Sequence, residues 1–191
     1  MSSELGQLPR VLVVDDSRLV RAMIVKHLRG HFDYREEADG EAGWQAIVLD
    51  HSVRAVITDS AMPVLDGYGL LARIRNSRLA RIRDIPVIMI SGDEEEAARE
   101  RARALGVSDF IGKSVGTNEL LARLESLIRL ASAQQELDRS RDSQVNNPDT
   151  GLFTRTYIEL QAAQALSHAS RHASEASVMV LGFDRIEDLR I

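Results

Sequence analysis

Val11-Leu-Val-Val14 running into Asp15-Asp16, and Ala55-Val-Ile-Thr58 running into Asp59, are the two stretches on which the fold of this 191-residue chain turns. Short apolar runs without polar alternation read as strands buried on both faces, the mark of a parallel sheet covered by helices. The carboxyl ends of such strands open onto a common crevice, where folds of this kind bind their ligands. Asp15, Asp16 and Asp59 are therefore expected to meet in one place. Carboxylates that close raise one another's pKa unless a positive charge sits among them, so the trio points to a bound divalent cation. Hard oxygen donors with room for water select magnesium. An aspartate after a strand also serves as a helix cap, which suits Asp16 taken alone. Two strands that end alike favour the shared crevice.

Outward from these runs the pattern alternates. Strands are expected at 10–14, 34–38, 54–58, 85–90 and 108–111, with helices near 17–29, 40–50, 66–76 and 94–105 between them and another from Thr117. Strict alternation of strand and helix implies a doubly wound α/β fold with a five-stranded parallel sheet. Asp93 and Glu96 have capping-box spacing, and Gly30 and Gly106 stand where helices would stop in a left-handed residue. Trp44 reads as a core anchor on the second helix.

From Thr117 apolar residues fall at 120, 121, 124, 127, 128 and 131, one stripe of a helix. The sequence then turns polar without a breaker until Asn146-Asn-Pro148, so this helix outruns its domain and reads as a connector. Leu120, Leu124, Leu127, Ala131 and Gln134 loosely fit a heptad seam, which would make the chain a homodimer; the same stripe equally suits packing on the sheet of its own chain. After Pro148 come a turn at Asp149-Thr-Gly151, a helix over 154–172 and a strand over 177–183, the front end of a second domain.

Composition narrows the partners. Lys and Arg number 24 against 29 Asp and Glu, a net charge of −5, which supplies no basic field for nucleic acid. With no cysteine, no apolar stretch of spanning length and no leader at Met1, a cytoplasmic protein without membrane contact is expected.

Two more strand ends deliver polar groups to the crevice: Ser91 after Pro86-Val-Ile-Met-Ile90, and Lys113 after Asp109-Phe-Ile111. Carboxylates, a hydroxyl and an ammonium around one cation make a phosphoryl-transfer site, because such chemistry needs mainly positioning and charge neutralisation. Asp59 is the expected nucleophile, with Mg2+ on Asp15, Asp16 and Asp59 screening it from an anionic donor. Lys113 and Ser91 would then hold the transferred phosphoryl oxygens.

In order, Val-Val-Asp15-Asp16-Ser, Ile-Thr-Asp59-Ser-Ala-Met-Pro63 with Asp66-Gly67, Ile-Ser91-Gly and Asp-Phe110-Ile-Gly-Lys113 resemble the receiver domain of two-component response regulators. The resemblance implies a flavodoxin-like sheet of order 2-1-3-4-5 and phosphorylation of Asp59 by a sensor histidine kinase or phosphotransfer protein. It implies Mg2+ on Asp15, Asp16, Asp59 and the backbone carbonyl of Ala61. Ser91 and Phe110 take the positions of the family's switch pair, a hydroxyl and an aromatic ring that turn towards the phosphoryl group. One departure stands out: the family's lysine usually precedes a cis proline, whereas Ser114 follows Lys113. A cis bond there would cost about 2.5 to 4 kcal/mol, so the loop was expected either to bear that strain or to run differently.

Asn147-Pro-Asp-Thr150-Gly-Leu-Phe-Thr-Arg155 and Val178-Met-Val-Leu-Gly-Phe-Asp184-Arg-Ile186 resemble the opening of a GGDEF domain, the diguanylate cyclase module. That family carries a metal-binding aspartate where this sequence has Gly182, and its signature loop would lie beyond Ile191. Residues 1–191 alone are thus not expected to make cyclic di-GMP, and the output is either a cyclase or a degenerate relative. The expected organisation is a tail over 1–9, a receiver over 10–130, a connector over 131–147 and a GGDEF-like fragment over 148–191. The rival reading is a receiver-shaped module that never takes phosphate and only dimerises its output.

Overall fold

A computed structural model describes residues 8–92, 96–147 and 150–172, without the side chains of 142–144 and 172. The chain divides into two compact units, residues 1–135 and 136–191.

In the first unit five parallel strands lie in the order β2-β1-β3-β4-β5: β1 Arg10–Val14, β2 Asp33–Glu37, β3 Val53–Asp59, β4 Val87–Ser91 and β5 Asp109–Gly112. The fold class and strand order are those the sequence implies. Between the strands run α1 Arg18–Leu28, α2 Gly40–Leu49, α3 Gly67–Arg75, α4 Ala80–Arg83 and α5 Glu96–Ala104, and α6 Thr117–Val145 follows the sheet. Side chains alternate across β1, so Leu12 and Val14 enter a core with α2, α3 and α5 while Val11 and Val13 enter one with α1 and α6. Both faces of the sheet are dry, which is why these runs carry no polar alternation. The edge strand β2, Asp-Tyr-Arg-Glu-Glu, keeps polar side chains against unwanted pairing.

Helix starts follow the side chains. Ser17, Asp39 and Asp66 cap α1, α2 and α3 by accepting from Val20 N, Ala42 N and Gly69 N at 3.4, 2.8 and 2.7 Å. Gly30 and Gly106 adopt φ of +82° and +83°, as expected of stops after α1 and α5. The capping box read at Asp93 and Glu96 includes residues outside those described. Trp44 is only partly buried, with the Arg73 guanidinium 4.8 Å from its ring centre.

The four-residue helix α4 has no counterpart in the sequence pattern. Of the two readings of the α6 stripe, packing on the sheet holds for Leu120 and Leu124, buried at 1% and 0% exposure, with Leu127 and Ile128 beside them. Those positions serve the intramolecular core. At about 1.5 Å per residue, α6 with its 29 residues is about 43 Å long, past what the sheet covers.

In the second unit the chain turns between Val145 and Thr154, where Asn146 and Phe153 form an antiparallel bridge and Gly151 takes φ +69°. α7 spans Arg155–His172, close to the expected 154–172. The strand expected over 177–183 lies outside the described residues. Among these residues, no helix is long and apolar enough to cross a membrane.

Candidate functional site

The carboxyl ends of β1, β3, β4 and β5 bring together what the sequence assigned to one crevice. Asp15 and Asp16 follow β1, Asp59 ends β3, Ser91 ends β4, and Lys113 follows β5. The carboxylates of Asp15, Asp16 and Asp59 offer oxygens within 4.8 Å of one another. Asp15 and Asp59 are buried and Asp16 is exposed.

Lys113 Nζ donates to Asp59 Oδ2 at 2.8 Å and lies 3.6 Å from Asp15 Oδ2. The Lys113–Ser114 peptide is trans, so the ammonium reaches the carboxylates without the cis bond the family usually has. The loop is instead anchored by the backbone: Lys113 N–H donates to Ser91 O at 3.0 Å. Asp59 Oδ1 accepts from Ser60 N–H at 2.8 Å, and the Ser60 hydroxyl donates to Ser91 Oγ at 3.0 Å. A serine beside an aspartate carries no signal in sequence; the fold gives Ser60 its part by setting it against β4.

Electrostatics separate the groups. Burial drives the Asp15 pKa upward, with the charges of Asp59 and Asp16 adding to it, against the Ser17 N–H bond and Lys113. Burial alone would lower Lys113, but the hydrogen bond and charge of Asp59, helped by Asp15, carry it above its ordinary value. Asp15 Oδ1 accepts from Ser17 N–H at 2.8 Å, while its buried Oδ2 has no hydrogen-bond partner. A buried carboxylate oxygen with no hydrogen-bond donor, only the Lys113 ammonium at 3.6 Å, and with two further carboxylates beside it fits a hard divalent cation.

The loop after β3 returns to the end of that strand, where Gly67 N–H donates to Ser60 O at 3.2 Å. Gly67 passes so near that a Cβ there would lie 1.9 Å from Asp59 O. Ala61, the expected carbonyl donor, is exposed in this loop two residues after Asp59. Leu65 N–H donates to Pro63 O at 2.8 Å across Val64, whose φ of 65° is strained for a β-branched residue. Phe110 is half-buried against the α2–α3–α5 core, with Arg99 Cζ 5.7 Å from its ring centre.

Of the arginines between 73 and 83, Arg75 donates to the carbonyls of Gly106, Arg83 and Ile85 at 2.7 to 2.8 Å, and Arg81 to those of Ile47 and Val48. Arg75 and Arg81 thus brace the fold through backbone carbonyls. His168 and His172 share α7, and among the described residues the one metal-competent acidic or histidine cluster is the aspartate trio.

With that geometry in hand, the chain belongs to the response regulator receiver domain family, whose signature matches residues 11–125, more than half of the sequence. It is 32% identical over 126 residues to the transcriptional regulatory protein GltR of Pseudomonas aeruginosa, 65% of this chain and 51% of GltR. It thus spans about half the length of that relative. A putative response regulator from Chloroflexus aurantiacus superposes with TM-score 0.60 at 28% identity, over 64% of this chain and 99% of that one. A probable two-component system response regulator/GGDEF domain protein matches with TM-score 0.61 at 26% identity, over 67% of this chain and 52% of that one. Receiver domains bind Mg2+ in an acidic pocket and take phosphoryl groups from histidine kinases or phosphotransfer proteins; Asp15, Asp16 and Asp59 form that pocket here.

Proposed function

We propose that this protein is a phosphorylation-controlled switch in which Asp59 accepts a phosphoryl group from a histidine kinase or phosphotransfer protein. The observation that carries the reading is a buried Asp59 carboxylate, bonded at one oxygen by Lys113 at 2.8 Å, beside an Asp15 Oδ2 that accepts no hydrogen bond. Asp15, Asp16 and Asp59, with the Ala61 carbonyl, would hold Mg2+. Bound there, the ion supplies neutralisation of the charge shared by the carboxylate and the incoming phosphoryl group.

An Asp59 oxygen attacks phosphorus, the P–N bond to the donor histidine breaks, and its electron pair stays on the imidazole, which takes up a proton. Asp59 becomes an acyl phosphate with about two negative charges. Lys113 keeps its proton throughout and orients the phosphoryl oxygens. Ser91, tied to the site through Ser60, turns its hydroxyl to the new group, and Phe110 follows inward. The resulting change on the α5–β5–α6 face would reach the output through α6.

That output we read as a GGDEF-type domain in cyclic di-GMP signalling. The Asn147–Arg155 motif and the composite receiver/GGDEF neighbour support it. A homodimer through α6 fits the exposure of Leu130 and Leu137, one heptad apart at 67% and 56%. Intact-mass measurement after acetyl phosphate and Mg2+ tests the core of the reading. One added phosphoryl group is expected, and none on Asp59→Asn; an unmodified wild type would leave only a phosphorylation-independent module.

A further inference from the structure

We propose that Arg21 is a positioning residue for the Mg2+ site: it sets the turn that aims Asp15 and Asp16, a role resting on the metal reading above. Arg21 lies on α1, and its side chain is 12% exposed, unusual for an arginine near the surface. Its Nη1 donates to the backbone carbonyl of Asp15 at 2.6 Å. Its Nε approaches Glu36 Oε2 at 3.3 Å, and Glu36 stands beside Val13 in the sheet register.

The chain leaves β1 at this point, so Asp15 has passed the last ladder pair. Its N–H donates to Glu37 O at 3.2 Å, and its carbonyl is met by Arg21 in place of a strand. The peptide joining Asp15 to Asp16 is planar, so fixing the Asp15 carbonyl fixes the Asp16 nitrogen and the direction in which its Cα departs. Ser17 N–H holds the Asp15 carboxylate at 2.8 Å from the other side. Two carboxylates that repel each other are thereby kept on one side of a turn by a cation that touches neither. The guanidinium fork does what a single ammonium does not: one edge takes the carbonyl while another faces Glu36, locking α1, β2 and the acidic turn together.

Isothermal titration of the whole chain with MgCl2, alongside melting in EDTA, tests this. Wild type should bind one Mg2+, and Arg21→Ala should weaken it about tenfold, as loss of partners behind metal ligands does. Arg21→Lys, which keeps the charge and one donor, should fall between the two, and Glu36→Gln should cost less than Arg21→Ala. If Arg21→Ala does not fold, Arg21→Lys and Glu36→Gln carry the comparison. Variants that melt lower in EDTA yet bind Mg2+ as wild type does would make Arg21 a mere strut and overturn the proposal. Failure of wild type itself to bind Mg2+ would instead remove the metal reading beneath it.

Discussion

At the amino end of the sheet, Arg10 lies between Asp33 at 2.6 Å and Asp50 at 2.9 Å, and Ser52 completes the shell of Asp50. At the carboxyl end, three carboxylates share one ammonium, and a buried oxygen of Asp15 accepts no hydrogen bond. The same residue types are thus satisfied on one rim and held in conflict on the other. Burial opposes ionisation at Asp50, but bonds from Ser52 and Arg10 outweigh it and bring its pKa to about 2. At Asp15 burial and like charge win, and the pKa rises. One rim stabilises the fold and the other carries a deficit that a cation would relieve, the usual mark of a functional site.

Removing the ammonium gives the largest expected effect. Lys113→Ala should slow phosphorylation by acetyl phosphate about 100-fold, the scale of losing one preorganised charge-stabilising donor, as followed by intact mass against time. An unchanged rate would mean the 2.8 Å contact only balances charge at rest.

The rims should next diverge in acid. Asp50 is depressed in the fold, so its contribution is present above the unfolded value near 3.8 and is lost as pH falls towards about 2. Asp50→Asn should therefore cost about 2 kcal/mol at neutral pH and flatten the acid limb of urea-unfolding stability. Asp15 is raised, so its penalty is absent below the unfolded pKa and fully present above the folded one. Asp15→Asn should accordingly stabilise the Mg2+-free protein at neutral pH while abolishing Mg2+ binding. Destabilisation there would erase the contrast between rims.

The smallest effect sits in the strained loop. Val64 is 84% exposed at φ 65°, so Val64→Asn loses little packing and relieves a left-handed β-branched residue. A gain of about 1 kcal/mol in thermal unfolding is expected.

The sheet was legible because both of its faces are buried, leaving β1, β3 and β4 as uninterrupted apolar runs. The grouping of Asp15, Asp59, Ser91 and Lys113 at one rim was legible because each ends or directly follows a strand, and parallel strands share a carboxyl rim. What escaped depends on side chains that bind backbone carbonyls. Arg75 binds those of Arg83, Ile85 and Gly106, and Arg21 binds that of Asp15, so their side-chain types alone say nothing. α4 spans four residues, fewer than any helical period reveals, and the α6 stripe has the same spacing whether it faces its own sheet or another chain.

Trapping the acyl phosphate by borohydride reduction and mapping the modified peptide tests the central claim most directly. Reduction should mark Asp59 alone, and only when Mg2+ accompanied the phosphodonor. A mark on Asp15 or Asp16, or an equal yield at Asp59 in EDTA, would contradict a cation-dependent transfer to that single side chain.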